Sequence, residues 1–259
     1  MILSMSTHWH YLWLVVASLI AGAMNAIAGG GSFVSFPAML AIGVAPIQAN
    51  ATNTVALWPG QLTSVATLRG DLRRDLLPPV CGASILGGVS GAVVLLNTQQ
   101  TTFLHMVPWL LLVASLLFGV SGPVSRWLKT RSAKPHIEKR SKTVAIFFVL
   151  LPVCFYIGYF GAGAGFLIIS ALALFGVEEM HQLNSLKVLA ACLSNFCAVI
   201  TFTLSGAVMW HYCLPSMVFA GVAGYVGAQY ARRMNADVLR TIVVLTGVTM
   251  AAYFFWRQS

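Results

Sequence analysis

Apolar residues fall along this chain in ten blocks, at 11–28, 32–43, 47–68, 79–97, 103–121, 143–160, 166–176, 184–205, 213–231 and 238–256. Polar or basic stretches separate them. Most blocks are near the twenty residues that an α-helix needs to cross the roughly 30 Å hydrocarbon core of a bilayer. They predict an all-α integral membrane protein. Two blocks, 32–43 and 166–176, are too short, because a dozen helical residues rise only about 18 Å. These read as half-helices or re-entrant arms. Each follows a glycine run, Gly29-Gly30-Gly31-Ser32-Phe33 in one case and Gly161-Ala162-Gly163-Ala164-Gly165-Phe166 in the other.

The two runs belong to a longer repetition. Phe33 to Phe166 and Gly43 to Gly176 span the same displacement, close to half the chain. Asn50 to Asn184 and Gln61 to Asn195 share a displacement one position longer. Gly88-Val89-Ser90-Gly91 matches Gly224-Tyr225-Val226-Gly227 in the same way, and small residues so spaced let helices pack closely in lipid. The chain therefore reads as two five-segment repeats, 1–124 and 143–259, joined by a basic cytoplasmic linker at 125–142 that carries Pro135. The apolar run from Tyr11 to Ala28 resembles a signal peptide but has no basic start. It also has a counterpart at 145–159, so it belongs to the fold.

Composition agrees with the blocks. Hydrophobic residues make up 58% of the chain and charged residues 8%. Soluble proteins carry about three times that share of charge. The net charge of +9 would suggest nucleic acid for a soluble chain. Here no nucleic-acid partner is implied, because 13 of the 15 basic residues cluster in three loops, as cytoplasmic loops require. Those loops hold Arg69, Arg73 and Arg74, then the linker, then Arg232, Arg233 and Arg240. The last of them lies between the final two blocks, whereas the matching loop of the first half, at 97–102, is uncharged. The same element thus has opposite polarity in the two halves. That predicts an inverted repeat with both termini outside. Trp58-Pro59-Gly60 breaks the third block, and unpaired backbone at such depth is tolerated only within protein or beside a cavity.

Glycines opening a helix leave free backbone N–H groups at the positive end of its dipole, a ready anion site. Gly30, Gly31 and Ser32 supply one such start, and Gly163 and Gly165 the other. Lys187 lies within an apolar run with no acidic residue a turn C-terminal to it, which suits an anionic substrate, a side chain that snorkels to an interface, or a pair with Glu178 or Glu179. Asn50, Thr52, Asn53 and Asn184 add neutral hydrogen-bonding groups. These ten residues form the expected substrate-binding set. Gln61 and Asn195 also match between halves, and either binding or interhelical hydrogen bonding would explain them. The five cysteines show no metal-ligand or disulfide spacing and read as packing residues, and no cofactor is implied. No paired carboxylates, HExxH, CxxC, nucleophile elbow or P-loop supports an enzyme or direct ATP drive.

With these residues in hand, the chain resembles the TauE/SafE sulfite-exporter family of membrane permeases. The resemblance rests on the stretch 25–37, on Ala49-Asn50-Ala51-Thr52-Asn53-Thr54 and Trp58-Pro59-Gly60, and on 158–166 followed by Asn184 to Lys187. It implies a multi-pass carrier of the bacterial inner membrane, moving small sulfur-containing anions such as sulfite or organosulfonates. The expected mechanism is alternating access around a midplane site at the repeat interface. The expected partners are a small anion and the lipid bilayer, with a proton or sodium as possible coupling ion and the oligomeric state open. An anion channel, a membrane enzyme or an accessory subunit without transport of its own are the alternatives.

Overall fold

The computed structural model describes residues 2–28, 30–130, 139–175, 177, 179–231 and 236–258. Gly29, Gly176, Glu178, the linker centre at 131–138 with Pro135, and Arg232 and Arg233 lie outside the described residues. The described chain is helical, with no strand: α1 (Ile2–Ala28), α2 (Ser32–Ala41), α3 (Pro46–Leu57), α4 (Pro59–Leu68), α5 (Leu77–Asn97), α6 (Gln100–Thr130), α7 (Lys139–Tyr159), α8 (Gly165–Leu174), α9 (Met180–Leu204), α10 (Trp210–Ala231) and α11 (Ala236–Gln258). The linker is helical at both described ends, where α6 runs on to Thr130 and α7 begins at Lys139.

The short blocks are short helices. α2 and α8 have 10 residues each, about 15 Å of rise and half a membrane. The break at Pro59 divides the third block into α3 and α4, because a proline inside a helix has no N–H to donate and clashes with the preceding turn. Its counterpart α9 is continuous over 25 residues. Among the described residues three stretches have the length and apolarity to cross a membrane, Arg74–Asn97, Gln100–Leu117 and His181–Leu204. Shorter apolar helices cover Trp9–Asn25, Thr143–Tyr159 and Val244–Trp256. Large apolar side chains such as Trp109, Phe148, Leu204, Leu214 and Trp256 face outward, as lipid contact requires.

Helices pack across the halves more than within them. α5 runs along α7, α1 along α10, and α6 along α11. Glycine makes the first two contacts possible. A methyl group at Gly91 would fall 2.1 Å from the Phe155 carbonyl oxygen, and one at Gly22 would fall 2.1 Å from that of Ala220. Gly158 approaches Gly88 as closely, its methyl group falling 2.2 Å from the Gly88 carbonyl oxygen. At the displacement that separates Phe33 from Phe166, rather than that of the glycine motif match, the contact of Gly91 with Phe155 recurs with the halves exchanged as the contact of Gly224 with Gly22.

Two apolar clusters hold the short helices. Phe36 of α2 meets Phe160, just past α7, edge to face at 5.5 Å, and Phe103 of α6 packs on both. Ile168 and Leu172 of α8 are buried among Val80, Ile146, Leu150 and Leu186. At the membrane edge Arg73 pairs with Asp75, and that hydrogen bond raises the Arg73 guanidinium further above its ordinary value. Both side chains are well exposed, so the pair contributes little to stability.

The glycine contacts give a first test. Gly91→Val forces backbone apart and lowers the unfolding midpoint in detergent by about 5 °C or more. Gly221→Ala, which has open space beside it, leaves the midpoint unchanged or raises it.

Candidate functional site

Between Tyr159 and Gly165 the chain leaves the helix. Gly161 and Gly163 adopt φ of +77° and +72°, conformations that favour glycine, and turn α7 into α8. A non-helical stretch at this depth leaves backbone groups that lipid cannot satisfy. The protein pairs them with side chains. Tyr156 Oη donates to the Ala162 carbonyl at 2.8 Å, and Asn50 Nδ2 donates to the Tyr159 carbonyl at 3.0 Å. At the start of α10, Met209 N donates to Thr52 Oγ1 at 3.0 Å. At the break between α3 and α4, Trp58 Nε1 donates to the Cys192 carbonyl at 3.1 Å and its ring stacks on Phe196. Each of the last three bonds crosses from one half to the other.

Where these breaks meet there is a cavity of about 40 Å³. It has room for about three waters, or for an ion of three or four heavy atoms. Asn25, Ser32, Thr54, Leu57, Gln61, Phe160, Gly161 and Asn195 line it, and none is charged. Asn195 Nδ2 donates to Gln61 Oε1 at 3.0 Å, joining α9 to α4. That bond orients both amides: Gln61 Nε2 is left as a free donor and Asn195 Oδ1 as a free acceptor among the described residues. Asn195 Oδ1 faces Gly161, where an added methyl group would sit 3.8 Å away. Ser32 Oγ accepts from Asn53 Nδ2 at 3.1 Å, so its own proton is available to a ligand.

Of the ten residues expected to bind substrate, Ser32 lines this cavity and Asn53 stands one hydrogen bond behind it. Asn53 also accepts from Ser35 Oγ, which ties α3 to α2. Asn50 and Thr52 are buried and hold the ends of α7 and α10. Gly30 is buried and accepts from Phe33 N. Gly31 lets α1 approach, since a methyl group there would be 2.4 Å from the Ala21 carbonyl oxygen. Gly163 faces the Ala114 carbonyl in the same manner. Asn184 lies a turn before Lys187 on α9, outside the cavity lining.

Lys187 crosses the first residue of α8: a methyl group at Gly165 would lie 3.3 Å from Lys187 Cδ. Among the described residues no acceptor pairs with its ammonium. It stands eight residues before Asn195, about 12 Å along α9. Lys187 over Gly165 is the positional counterpart of Asn53 over Ser32, so one half carries a charge where the other carries an amide.

The expected set omitted Asn25, Thr54, Gln61, Gly161 and Asn195. Gln61 and Asn195 carried a signal, their equivalent positions in the two halves, but that match does not separate binding from helix pairing.

A bundle of helices with paired breaks around a small polar cavity, within an apolar shell, belongs to the membrane transporters. The family model for the sulfite exporter TauE/SafE matches residues 14–254, and the chain belongs to that family. It is similar to the probable membrane transporter protein ORF9 of Sinorhizobium sp., at 28% identity across 92% of this chain and 90% of that one. It is 23% identical to the probable membrane transporter protein YfcA of Escherichia coli K12, across 92% and 87% of the two chains. A probable membrane transporter protein of Haemophilus influenzae is 25% identical across 95% and 94%. No solved structure matches. The protein is a multi-pass integral membrane transporter of the bacterial inner membrane, not an enzyme.

Asn53 gives the test of this geometry. Asn53→Ala leaves Ser32 and Ser35 without their shared partner and lowers stability by about 1–3 kcal/mol, read as thermal unfolding in detergent. Ser32→Ala removes only a donor facing the cavity and changes stability by less than about 1 kcal/mol.

Proposed function

We propose that this protein is a secondary carrier of small sulfur oxyanions, with sulfite as the leading substrate, working by alternating access around the cavity between Ser32, Gln61 and Asn195. The observation that carries this reading is a small, partly open, polar and uncharged cavity at the junction of the two halves of a membrane transporter. Its volume of about 40 Å³ suits sulfite better than a longer organosulfonate. Ser32 Oγ–H and Gln61 Nε2 donate to the oxyanion, and Asn25 completes the lining. Gly30, Gly31, Asn50, Thr52 and Asn53 hold the first half-site in shape. Gly163, Gly165 and Asn184 serve the second half, where Lys187 adds positive potential at the start of α8 and draws anions toward the cavity.

We further propose that the carrier moves as two inverted repeats, 1–124 and 143–259, hinged across the linker at 125–142. The exchanged contacts of Gly91 with Phe155 and Gly224 with Gly22 support a two-fold relation between the halves. A residue that touches its own counterpart lies on the axis of such a relation. Gln61 with Asn195 and Trp58 with Cys192, equally spaced along the chain, have that property. An axis through the cavity gives the two repeats equal access to it, which is the geometric need of alternating access.

Counterflow of sulfite in proteoliposomes tests the function. Saturable exchange is expected, with half-saturation raised about tenfold in Gln61→Ala or Ser32→Ala, the effect of one lost hydrogen bond to a charged ligand. Lys187→Ala should raise it about two- to fivefold at low ionic strength and less in high salt. Unchanged exchange in a Ser32→Ala, Gln61→Ala double variant would rule out the cavity as the site. Absence of exchange for every sulfur oxyanion would rule out the substrate class.

A further inference from the structure

We propose that the cavity takes its substrate as a protonated monoanion, an oxyanion carrying one hydroxyl, and that Asn195 is the residue that recognises the proton. The inference rests on the carrier reading above and names the ionic form which that site selects.

Charge limits what the cavity can hold. Every residue lining it is neutral, and on α9 Lys187 stands eight residues before Asn195, about 12 Å of helix rise. Neutral donors can replace the hydration of a single delocalised charge. A second charge on the same small ion makes the desolvation cost several times larger, with no counterion beside it. Hydrogen sulfite meets this condition and sulfite does not, and the two interconvert near neutral pH.

The pattern of donors and acceptors points to the same form. The Asn195 to Gln61 bond is directional, so its two free ends differ: Gln61 presents N–H and Asn195 presents a carbonyl oxygen. A fully deprotonated oxyanion has only acceptors and would set lone pairs against Asn195 Oδ1. A hydroxyl-bearing oxyanion accepts from Gln61 Nε2 and Ser32 Oγ and donates its own proton to Asn195 Oδ1, satisfying all three. The penalty for an unmatched buried polar group is what lets such sites discriminate strongly.

This arrangement bears on coupling. None of the side chains lining the cavity ionises near neutral pH, so the walls offer no relay for a proton. The proton crosses on the substrate, and transport responds to pH through the substrate's own ionisation.

Sulfite counterflow at fixed total sulfite, on either side of neutral pH and corrected for protein-free vesicles, tests the proposal. The expected rate follows the hydrogen sulfite fraction and falls as pH rises. Hydrogen carbonate, which carries a hydroxyl, should compete. Nitrate, a monoanion without one, should compete about tenfold less well, and sulfate, a dianion, should not compete. In Asn195→Leu the preference for hydrogen carbonate over nitrate should disappear, a change in selectivity that loss of packing alone would not produce. The wild-type pH profile and competition series decide the matter even if that variant fails to fold. A pH-independent rate, competition by sulfate equal to that of hydrogen carbonate, or an unchanged preference in Asn195→Leu would overturn the inference and leave the carrier reading intact. Absence of exchange for all oxyanions at every pH would overturn both.

Discussion

The structure depends on one constraint: inside a membrane, any backbone group released from a helix must be paired by protein. The chain breaks helical continuity near Gly31, at Pro59, from Phe160 to Ala164 and ahead of Trp210. Asn50, Thr52 and Tyr156 meet the backbone at or beside these breaks with side-chain hydrogen bonds, and Trp58, itself at a break, reaches the Cys192 carbonyl of α9. Three of the four reach across to the other half. The bonds that make the breaks tolerable are therefore also the bonds that join the halves, and the cavity lies where both tasks coincide.

This explains how far the sequence could be read. The helices were legible because apolar blocks of membrane length have one physical solution, and the two short ones announced themselves by length and by the glycines before them. The break at Trp58-Pro59 was legible for the same reason. The division of labour among the polar residues was not. Asn50, Thr52 and Asn53 are neutral hydrogen-bonding groups in one turn of α3, and nothing in their identity says whether a carbonyl, an amide or an ion will meet them. Asn50 finds the end of α7 and Thr52 the start of α10, both in the other half of the chain. Gln61 and Asn195 had the opposite fate. Their match between halves was visible, but their convergence on a cavity depends on how α4 and α9 pack beyond the break at Pro59, which a sequence does not carry.

The two halves differ in chemistry at positions matched by their spacing along the chain. Where the first half has Asn53 hydrogen-bonded to Ser32, the second has Lys187 lying over Gly165. Where the first has α3 and α4, the second has the single helix α9. The cavity inherits this imbalance: Ser32 lines it, while its counterpart Gly165 has no side chain to offer and is covered by the lysine stem. At these positions one half offers neutral hydrogen bonds and the other a lysine.

The helix after the break differs from its neighbours in one further respect. α4 contains no buried residue, and its hydroxyls at Thr63, Ser64 and Thr67 donate to carbonyls of its own turns. It asks little of its surroundings. Displacing most helices here would strip apolar side chains from a packed core, but α4 has no core side chains to withdraw. Its firmest attachments are the anchored Trp58 at its base and the Gln61 amide one turn along. The wall that Gln61 and Asn195 close therefore rests on a helix fixed by hydrogen bonds near its N-terminal end rather than by a buried apolar face.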